Sequence, residues 1–141
     1  MLLPDVNMLV YAFRTDAPQH ERSKRWLSDV IADEQPYGLC DIVLSGFLRV
    51  VTNPRIFKTP TPQAGALAFV EASRSQGNCV VLAPGPRHWD IFMRLCKETR
   101  ATGNTVPDAY LAALAIESGS EWITLDGGFA RFQGLRWRRP F

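Results

Sequence analysis

Two short apolar segments of this chain each end in an aspartate, and they constrain the fold more than any other feature. Residues 2–4 are followed by Asp5 and by a helical run at 8–13, which predicts a strand, a turn and a helix. The apolar strand ending in aspartate recurs at 122–126, where the last residue is Asp126. Strands that are apolar throughout, without alternation, are typical of a parallel sheet that helices cover on both faces.

The hydrophobic periodicity of the whole chain completes an α/β order. Apolar residues at helical spacing predict helices at 8–13, 19–34, 41–52, 62–75, 87–99 and 106–118. Short apolar runs predict strands at 2–4, 37–39, 79–82, 122–125 and 135–137. We expect the strand at 79–82 to be buried, and Thr61 to cap the helix that begins at Pro62. The pattern predicts one α/β domain over residues 1–141, with a parallel sheet of four or five strands.

The composition is that of one globular domain. Of 141 residues, 46% are hydrophobic and 21% are charged, so the chain can bury a core. No apolar run approaches the roughly 20 residues of a membrane span, and the N-terminus lacks the basic region of a signal peptide. We therefore expect a cytoplasmic protein that does not bind membranes. Three cysteines without a CxxC pair indicate free thiols, and two distant histidines argue against a zinc site.

Three carboxylates are predicted to meet at one edge of the sheet. Asp5 and Asp126 follow parallel strands, whose carboxyl ends share an edge. Asp108 lies in the first turn of a predicted helix, after the loop 103–105, so this helix also begins at that edge. Each aspartate has an alternative explanation, because Asp is favoured as a helix cap and near helix N-termini.

A cluster of carboxylates favours a bound divalent cation. Like charges within a few ångströms disfavour ionisation, and a cation removes that repulsion. Oxygen ligands with no histidine or cysteine nearby select Mg²⁺ or Mn²⁺. Such an ion suits phosphodiester hydrolysis, in which metal-activated water is the nucleophile. The residues alone leave open whether the three aspartates hold a metal or are helix caps and surface acids.

Basic residues form two groups although the net charge is only +2. Arg49, Arg55 and Lys58 lie in the middle of the chain, and Arg136 is the first of three arginines near its end. Either group can hold the phosphates of a nucleic acid, or can be ordinary solvated charge.

Three motifs resemble the PIN-domain family. They are LPDVN at 3–7, GNTVPDAYLAALA at 103–115 and TLDGGF at 124–129. With the runs 47–57 and 132–137, the chain is similar over essentially its whole length to the VapC toxins of bacterial type II toxin–antitoxin pairs. The resemblance implies a PIN-like three-layer sandwich and an endoribonuclease that depends on Mg²⁺ or Mn²⁺. It also implies a homodimer that a cognate VapB-type antitoxin inhibits.

The resemblance also assigns roles to individual residues. Asp5 and Asp108 match acids that ligate the metal, and Asp126 matches an acid that does so directly or through water. Asn7 and Thr124 match polar helpers of the family's site. The resulting hypothesis is hydrolysis of single-stranded or looped RNA. The candidates for holding the RNA backbone are Arg49, Arg55 and Arg136.

The chain departs from the family at two positions. The family usually has a glutamate where this chain has Gly46, and often has a second acid where this chain has Gly128. Asp41 is the only acid near Gly46 and, with Ser45 one turn later, is expected to face the same edge as Asp5. Asp41 then either completes the acidic site or only caps its helix. The number of metal ions, one or two, stays open.

Two other functions remain open at this point. A PIN-fold protein without the missing acids could bind RNA or an antitoxin and cleave weakly or not at all. A small-molecule phosphohydrolase is disfavoured because the sequence has no phosphate loop or nucleophile motif. For the antitoxin, we expect the helices at 19–34 and 41–52 to form an apolar groove for a partner helix.

Overall fold

The computed structural model describes residues 1–141 as one parallel sheet with helices around it. The strands are β1 (Leu2–Pro4), β2 (Tyr37–Cys40), β3 (Cys79–Leu82), β4 (Glu121–Ile123) and β5 (Trp137–Arg138). The α-helices are α1 (Val6–Phe13), α2 (His20–Ala32), α3 (Asp41–Val51), α4 (Gln63–Arg74), α5 (His88–Thr99) and α6 (Thr105–Ser118). A 3₁₀ helix spans Gly127–Arg131. None of the helices combines the length and the apolar character that a membrane crossing requires.

The strands lie in the order β3-β2-β1-β4-β5, and every neighbouring pair is parallel. This confirms the predicted α/β sheet and gives it five strands. In the central pair, Leu3 is opposite Trp122 and Pro4 is opposite Ile123. The Asp5 N–H donates to the Ile123 carbonyl at 2.9 Å and extends the ladder by one residue. Asp5 therefore lies beside the residue after Ile123, at the carboxyl edge of the sheet.

Pro4 limits how far β1 pairs with its other neighbour. β1 and β2 are registered only at Leu2 and Tyr37. Because proline has no N–H to donate, Pro4 cannot extend that ladder. At its carboxyl end β1 is thus held to β4 alone, which is the strand that leads to Asp126.

The core occupies both faces of the sheet. The central strands contribute Leu3, Leu39 and Trp122, all buried. The alanines of α6 are fully buried and allow close packing on the sheet, at positions 109, 112, 113 and 115. This packing sets the position of the first turn of α6 relative to the ends of β1 and β4.

Two local predictions are wrong: the burial of the strand at 79–82 and the cap at Thr61. The strand at 79–82 lies at the edge of the sheet with a neighbouring strand on one side only, and its middle residues Val80 and Val81 are exposed. Thr61 does not cap α4, since the N-cap residue is Pro62. The Thr61 hydroxyl instead accepts a hydrogen bond from Arg14 Nη1 at 3.0 Å, which ties the loop before α4 to the end of α1.

The prediction of an apolar groove between α2 and α3 is also wrong, because α1 packs against both helices and fills the space between them. An apolar groove of about 330 Å³ is found instead between α2 and α4, over the end of α1. Its apolar walls are Ala12, Phe13, Leu27, Ile31 and Phe69.

Candidate active site

Asp5 is a buried carboxylate held in a fixed orientation. Its Oδ1 accepts from the Val6 N–H at 2.6 Å, and its Oδ2 accepts from the Thr124 hydroxyl at 2.7 Å. Asp5 is thus the N-cap of α1, as the alternative explanation held, but it also faces a cleft. Burial raises its pKa from 3.8 to about 6, and the charges of Asp108 and Asp126 add to the rise, although the two hydrogen bonds oppose it.

Thr124 links the two strand ends. While its hydroxyl donates to Asp5, the same oxygen accepts from the Asp126 N–H at 3.0 Å. The Asp126 side chain accepts from the Gly128 N–H at 2.7 Å, so it is the N-cap of the 3₁₀ helix. One buried hydroxyl therefore fixes the backbone of Asp126 relative to the side chain of Asp5.

Asp108 reaches the same place from α6. It lies in the first turn of this helix, and its side chain is partly buried. Burial, followed by the charge of Asp126, raises the pKa of Asp108, while Arg131 acts in the opposite direction. The three aspartates therefore influence one another electrostatically, as expected for carboxylates that converge.

A cleft of about 650 Å³ brings most of the predicted residues together. Its predicted polar lining is Asp5, Asn7, Ser45, Arg49, Asp108 and Asp126. Thr124 lies behind this surface, fully buried, where it can act only through Asp5 and Asp126. The cleft is thus a concave surface at the carboxyl edge, with carboxylates from β1, α6 and the segment after β4.

The structure places Asp41 outside the cleft. Its side chain is 81% exposed and its Oδ1 lies 3.7 Å from Arg74 Nη2 of α4. Asp41 is the first residue of α3, whose N-cap is Cys40, so it is not the cap either. The cleft is lined by Ile42, Ser45, Gly46 and Arg49, a face of α3 from which the Asp41 side chain turns away.

Two of the predicted RNA-binding arginines also lie elsewhere. The Arg136 guanidinium donates to the Gly119 carbonyl, and both residues precede strands, so they lie at the amino edge of the sheet. Arg55 is exposed in the loop after α3 and does not line the cleft. Only Arg49, of the three, faces the acidic residues.

Gly46 has a packing role of its own. A Cβ added at Gly46 would lie 2.9 Å from Cγ2 of Val6, closer than real side chains approach. Val6 follows Asp5 directly, so α3 packs against the start of α1 at the edge of the cleft. A larger residue at position 46 would have to displace Val6.

Sequence reasoning missed one residue that lines the cleft and one that lies next to it. Asn104, just before α6, lines the cleft. Arg131 lies in the 3₁₀ helix, where it bonds the Gly128 carbonyl and Thr105. Asn104 stood inside a motif already noted, whereas no periodicity or spacing connected Arg131 to the start of α6.

The cleft fits a hard divalent cation by its chemistry, although no three His, Cys, Asp or Glu side chains are grouped closely enough to hold an ion among themselves. Its donors are carboxylate oxygens, and burial followed by the repulsion of neighbouring carboxylates raises the pKa values of Asp5 and Asp108. A divalent cation would relieve this repulsion. Magnesium keeps several waters and usually binds one or two carboxylates with substrate phosphates. A site of this kind needs fewer direct protein ligands than a closed metal cage.

A family model described as the PIN domain matches residues 2–135. The chain belongs to the PIN-domain family. This PIN domain is 46% identical over 140 residues to ribonuclease VapC43 of Mycobacterium tuberculosis, covering 99% of this chain and 95% of the relative. It is 42% identical to ribonuclease VapC25 of the same organism, with 99% of each chain covered.

Solved structures share the fold at low sequence identity. The VapBC2 complex of Rickettsia felis, bound to a DNA fragment from its promoter, matches with a TM-score of 0.70 and 16% identity, covering 98% of this PIN domain and 97% of that chain. VapC20 of Mycobacterium tuberculosis, a sarcin–ricin loop cleaving toxin, matches with a TM-score of 0.68 and 16% identity, covering 96% of this chain and 99% of that one. At this identity, the likeness shows the common fold alone.

Proposed function

We propose that this PIN domain is an endoribonuclease that requires Mg²⁺ or Mn²⁺ and acts as the toxin of a VapBC-type pair. The observation that carries the proposal is the convergence of Asp5, Asp108 and Asp126 in one cleft, where burial and mutual repulsion raise the pKa of Asp5 to about 6. Similarity to ribonucleases at up to 46% identity supports RNA as the substrate. Single-stranded or looped RNA fits best, because the scissile phosphate must reach a concave acidic surface.

The chain's own residues have distinct tasks in this mechanism. Asp5 and Asp108 would hold the cation, with Asp126 binding it directly or through water. A cation bound there supplies a Lewis acid and a more acidic water for attack on phosphorus. The Val6 N–H and the Thr124 hydroxyl keep both Asp5 oxygens from rotating away.

Other cleft residues would bind and orient the RNA. Arg49 forms an ion pair with no acidic side chain, so its charge is available for a phosphate. Asn7 and Ser45 add an amide and a hydroxyl to the same surface. These groups can bond the ribose 2′-hydroxyl, which distinguishes RNA from DNA.

The test is cleavage of a labelled RNA hairpin by purified protein with Mg²⁺, with Mn²⁺ and with EDTA. We expect cleavage with either ion, none in EDTA, and none by Asp108→Asn. Asp41→Asn is the matched control, because it removes the same charge from a side chain outside the cleft. Undiminished cleavage in EDTA would overturn the metal mechanism, and an Asp41→Asn protein as impaired as Asp108→Asn would overturn the assigned site.

The proposed protein partners have surfaces available. A VapB-type antitoxin helix would fit the apolar groove between α2 and α4, through its wall residues such as Phe13 and Phe69. A homodimer would cover the exposed side chains of Trp89 and Met93, which lie one turn apart on α5. Co-expression with the product of the adjacent gene should yield a complex whose ribonuclease activity is suppressed. Separate elution of the two proteins would contradict the antitoxin pairing.

A further inference from the structure

Arg131 joins the two segments that carry the outer acids of the site. Its Nε–H donates to the Gly128 carbonyl at 2.6 Å, in the turn that follows Asp126. Its Nη1 donates to the Thr105 hydroxyl at 3.1 Å, in the first turn of α6. Thr105 is three residues before Asp108, so this guanidinium bridges the turn after Asp126 and the first turn of α6, next to the residues that line the cleft.

The charge of Arg131 is close to the acids but is not neutralised by them. It forms an ion pair with no acidic side chain of the chain. The guanidinium is nevertheless held between the turn that follows Asp126 and the first turn of α6, which carries Asp108. The remaining nitrogen, Nη2, has no hydrogen-bond partner among the contacts of the side chain. A positive group with a free donor thus stands beside the carboxylates.

Gly128 makes room for this arrangement. A Cβ added at Gly128 would lie 2.7 Å from Nη2 of Arg131 and 3.0 Å from Oδ1 of Asp126. Nη2 and the Asp126 carboxylate therefore flank the same space. An acidic side chain at position 128 would enter that space and pair with Arg131. With glycine there, the guanidinium keeps its charge available for an anion that enters the cleft.

We propose that Arg131 binds the RNA phosphate at the cleft and supplies the positive charge that a second cation would otherwise provide, so that the centre works with one ion. This inference rests on the proposed ribonuclease function. A guanidinium suits the task because its planar fork matches phosphate oxygens and its charge is permanent. Two of its nitrogens, Nε and Nη1, already fix its position on the protein, and the donors of the third, Nη2, are left for the substrate.

The first test is binding of a labelled single-stranded oligouridylate to the apo protein in EDTA, measured over a range of salt concentrations. Arg131→Gln should weaken binding about tenfold, the usual effect of losing a hydrogen bond to a charged group. The slope of log affinity against log salt should fall by about 0.7, the value for one phosphate contact on a single strand. Arg131→Lys keeps the charge and should retain the slope. Arg94→Gln is the matched control, because Arg94 pairs with Glu98 on α5, outside the cleft.

The second test is titration of the same proteins with Mg²⁺ by calorimetry. We expect one ion per wild-type chain and severalfold tighter binding by Arg131→Gln, because a competing positive charge is gone. If Arg131 only ties the two segments together, Arg131→Gln should instead bind Mg²⁺ more weakly and keep the salt slope of the wild type, and that result would overturn the inference. Two ions per wild-type chain would also overturn it. If the wild-type protein cleaves RNA while Arg131→Gln binds oligouridylate like the control, only this inference fails; a wild type that neither binds nor cleaves RNA removes the proposed function as well.

Discussion

Replacing Asp5 by asparagine should stabilise the metal-free protein at neutral pH. Burial, with smaller contributions from Asp108 and Asp126, raises the pKa of Asp5 from 3.8 to about 6, which makes ionisation of the folded protein about 3 kcal/mol costlier than in the unfolded chain. Asparagine removes this cost. The side-chain oxygen of asparagine can still accept from the Val6 N–H. The NH₂ group then replaces the carboxylate oxygen that accepted from the Thr124 hydroxyl, so this hydrogen bond is lost. Subtracting about 1 kcal/mol for that bond leaves a gain of about 2 kcal/mol.

The gain must depend on pH in a defined direction. Between about pH 4 and pH 6 the folded protein binds more protons at Asp5 than the unfolded chain does, so the wild type loses stability as pH rises through this window. The gain of Asp5→Asn should therefore be absent at pH 4, where the cost of ionisation is smaller than that of the lost hydrogen bond, and almost complete above pH 6. Urea unfolding in EDTA at pH 4 and pH 8 measures it, with Asp41→Asn as the control for an exposed carboxylate.

Magnesium should reverse the order of stability. An ion that binds only the folded wild type adds RT ln(1 + [Mg²⁺]/Kd) to its free energy of unfolding, whereas Asp5→Asn loses a ligand and gains little. A variant that is less stable than the wild type at pH 8 in EDTA, or a difference that does not vary with pH, would refute this reasoning. Either result would make Asp5 a structural cap and not a desolvated member of a charge cluster.

Three further predictions follow from the geometry around the cleft. Gly46→Ala should destabilise the protein by about 1 kcal/mol, because the clash with the stiff side chain of Val6 outweighs the better helix propensity of alanine; the same change in a Val6→Ala background should be stabilising. Thr124→Val should raise the Mg²⁺ concentration for half-maximal cleavage, since Asp5 and the backbone of Asp126 both lose their hydroxyl partner; unchanged Mg²⁺ dependence would contradict the linking role. Calorimetric Mg²⁺ affinity should fall as pH drops below about 6, approaching tenfold per pH unit, because the ion competes with a proton on Asp5; a flat profile would contradict it.

The acidic site was predictable because topology alone decides it. Asp5 and Asp126 directly follow neighbouring parallel strands, and Asp108 lies in the first turn of a helix that begins at the carboxyl edge of the sheet. A parallel sheet therefore brings all three to one edge. The roles of Thr124 as a link between strand ends and of Asn7 as a lining residue needed the family resemblance, because neither carries a distinctive spacing.

Side-chain direction was the part that the sequence could not supply. Helical spacing correctly put Asp41 one turn before Ser45, but Asp41 begins α3 and its carboxylate turns outward towards Arg74 of α4. The tertiary packing of α3 against α4 decides this direction, and no local pattern reports it. The position of Arg136 was hidden for a related reason, since a basic cluster in the sequence does not reveal at which edge of the sheet the strand β5 begins.

Close approaches were equally hidden. From the sequence, Gly46 was interpreted only as a position that lacks a metal ligand. The structure shows that the side chain of Val6 occupies the space beside Gly46. The role of Arg131 depends on the 3₁₀ helix turning back towards Thr105, a contact between residues 26 positions apart. The exposed middle of β3 likewise follows from its place at the edge of the sheet, which apolar composition does not reveal.

The most direct test of the central claim is anomalous diffraction at the manganese edge from crystals grown with Mn²⁺. The account predicts one strong anomalous peak per chain, in the cleft between Asp5, Asp108 and Asp126, and no peak there in crystals of Asp108→Asn. Crystals with no peak in the cleft, or with Mn²⁺ bound at Asp41 instead, would contradict the claim that these three carboxylates form the metal centre.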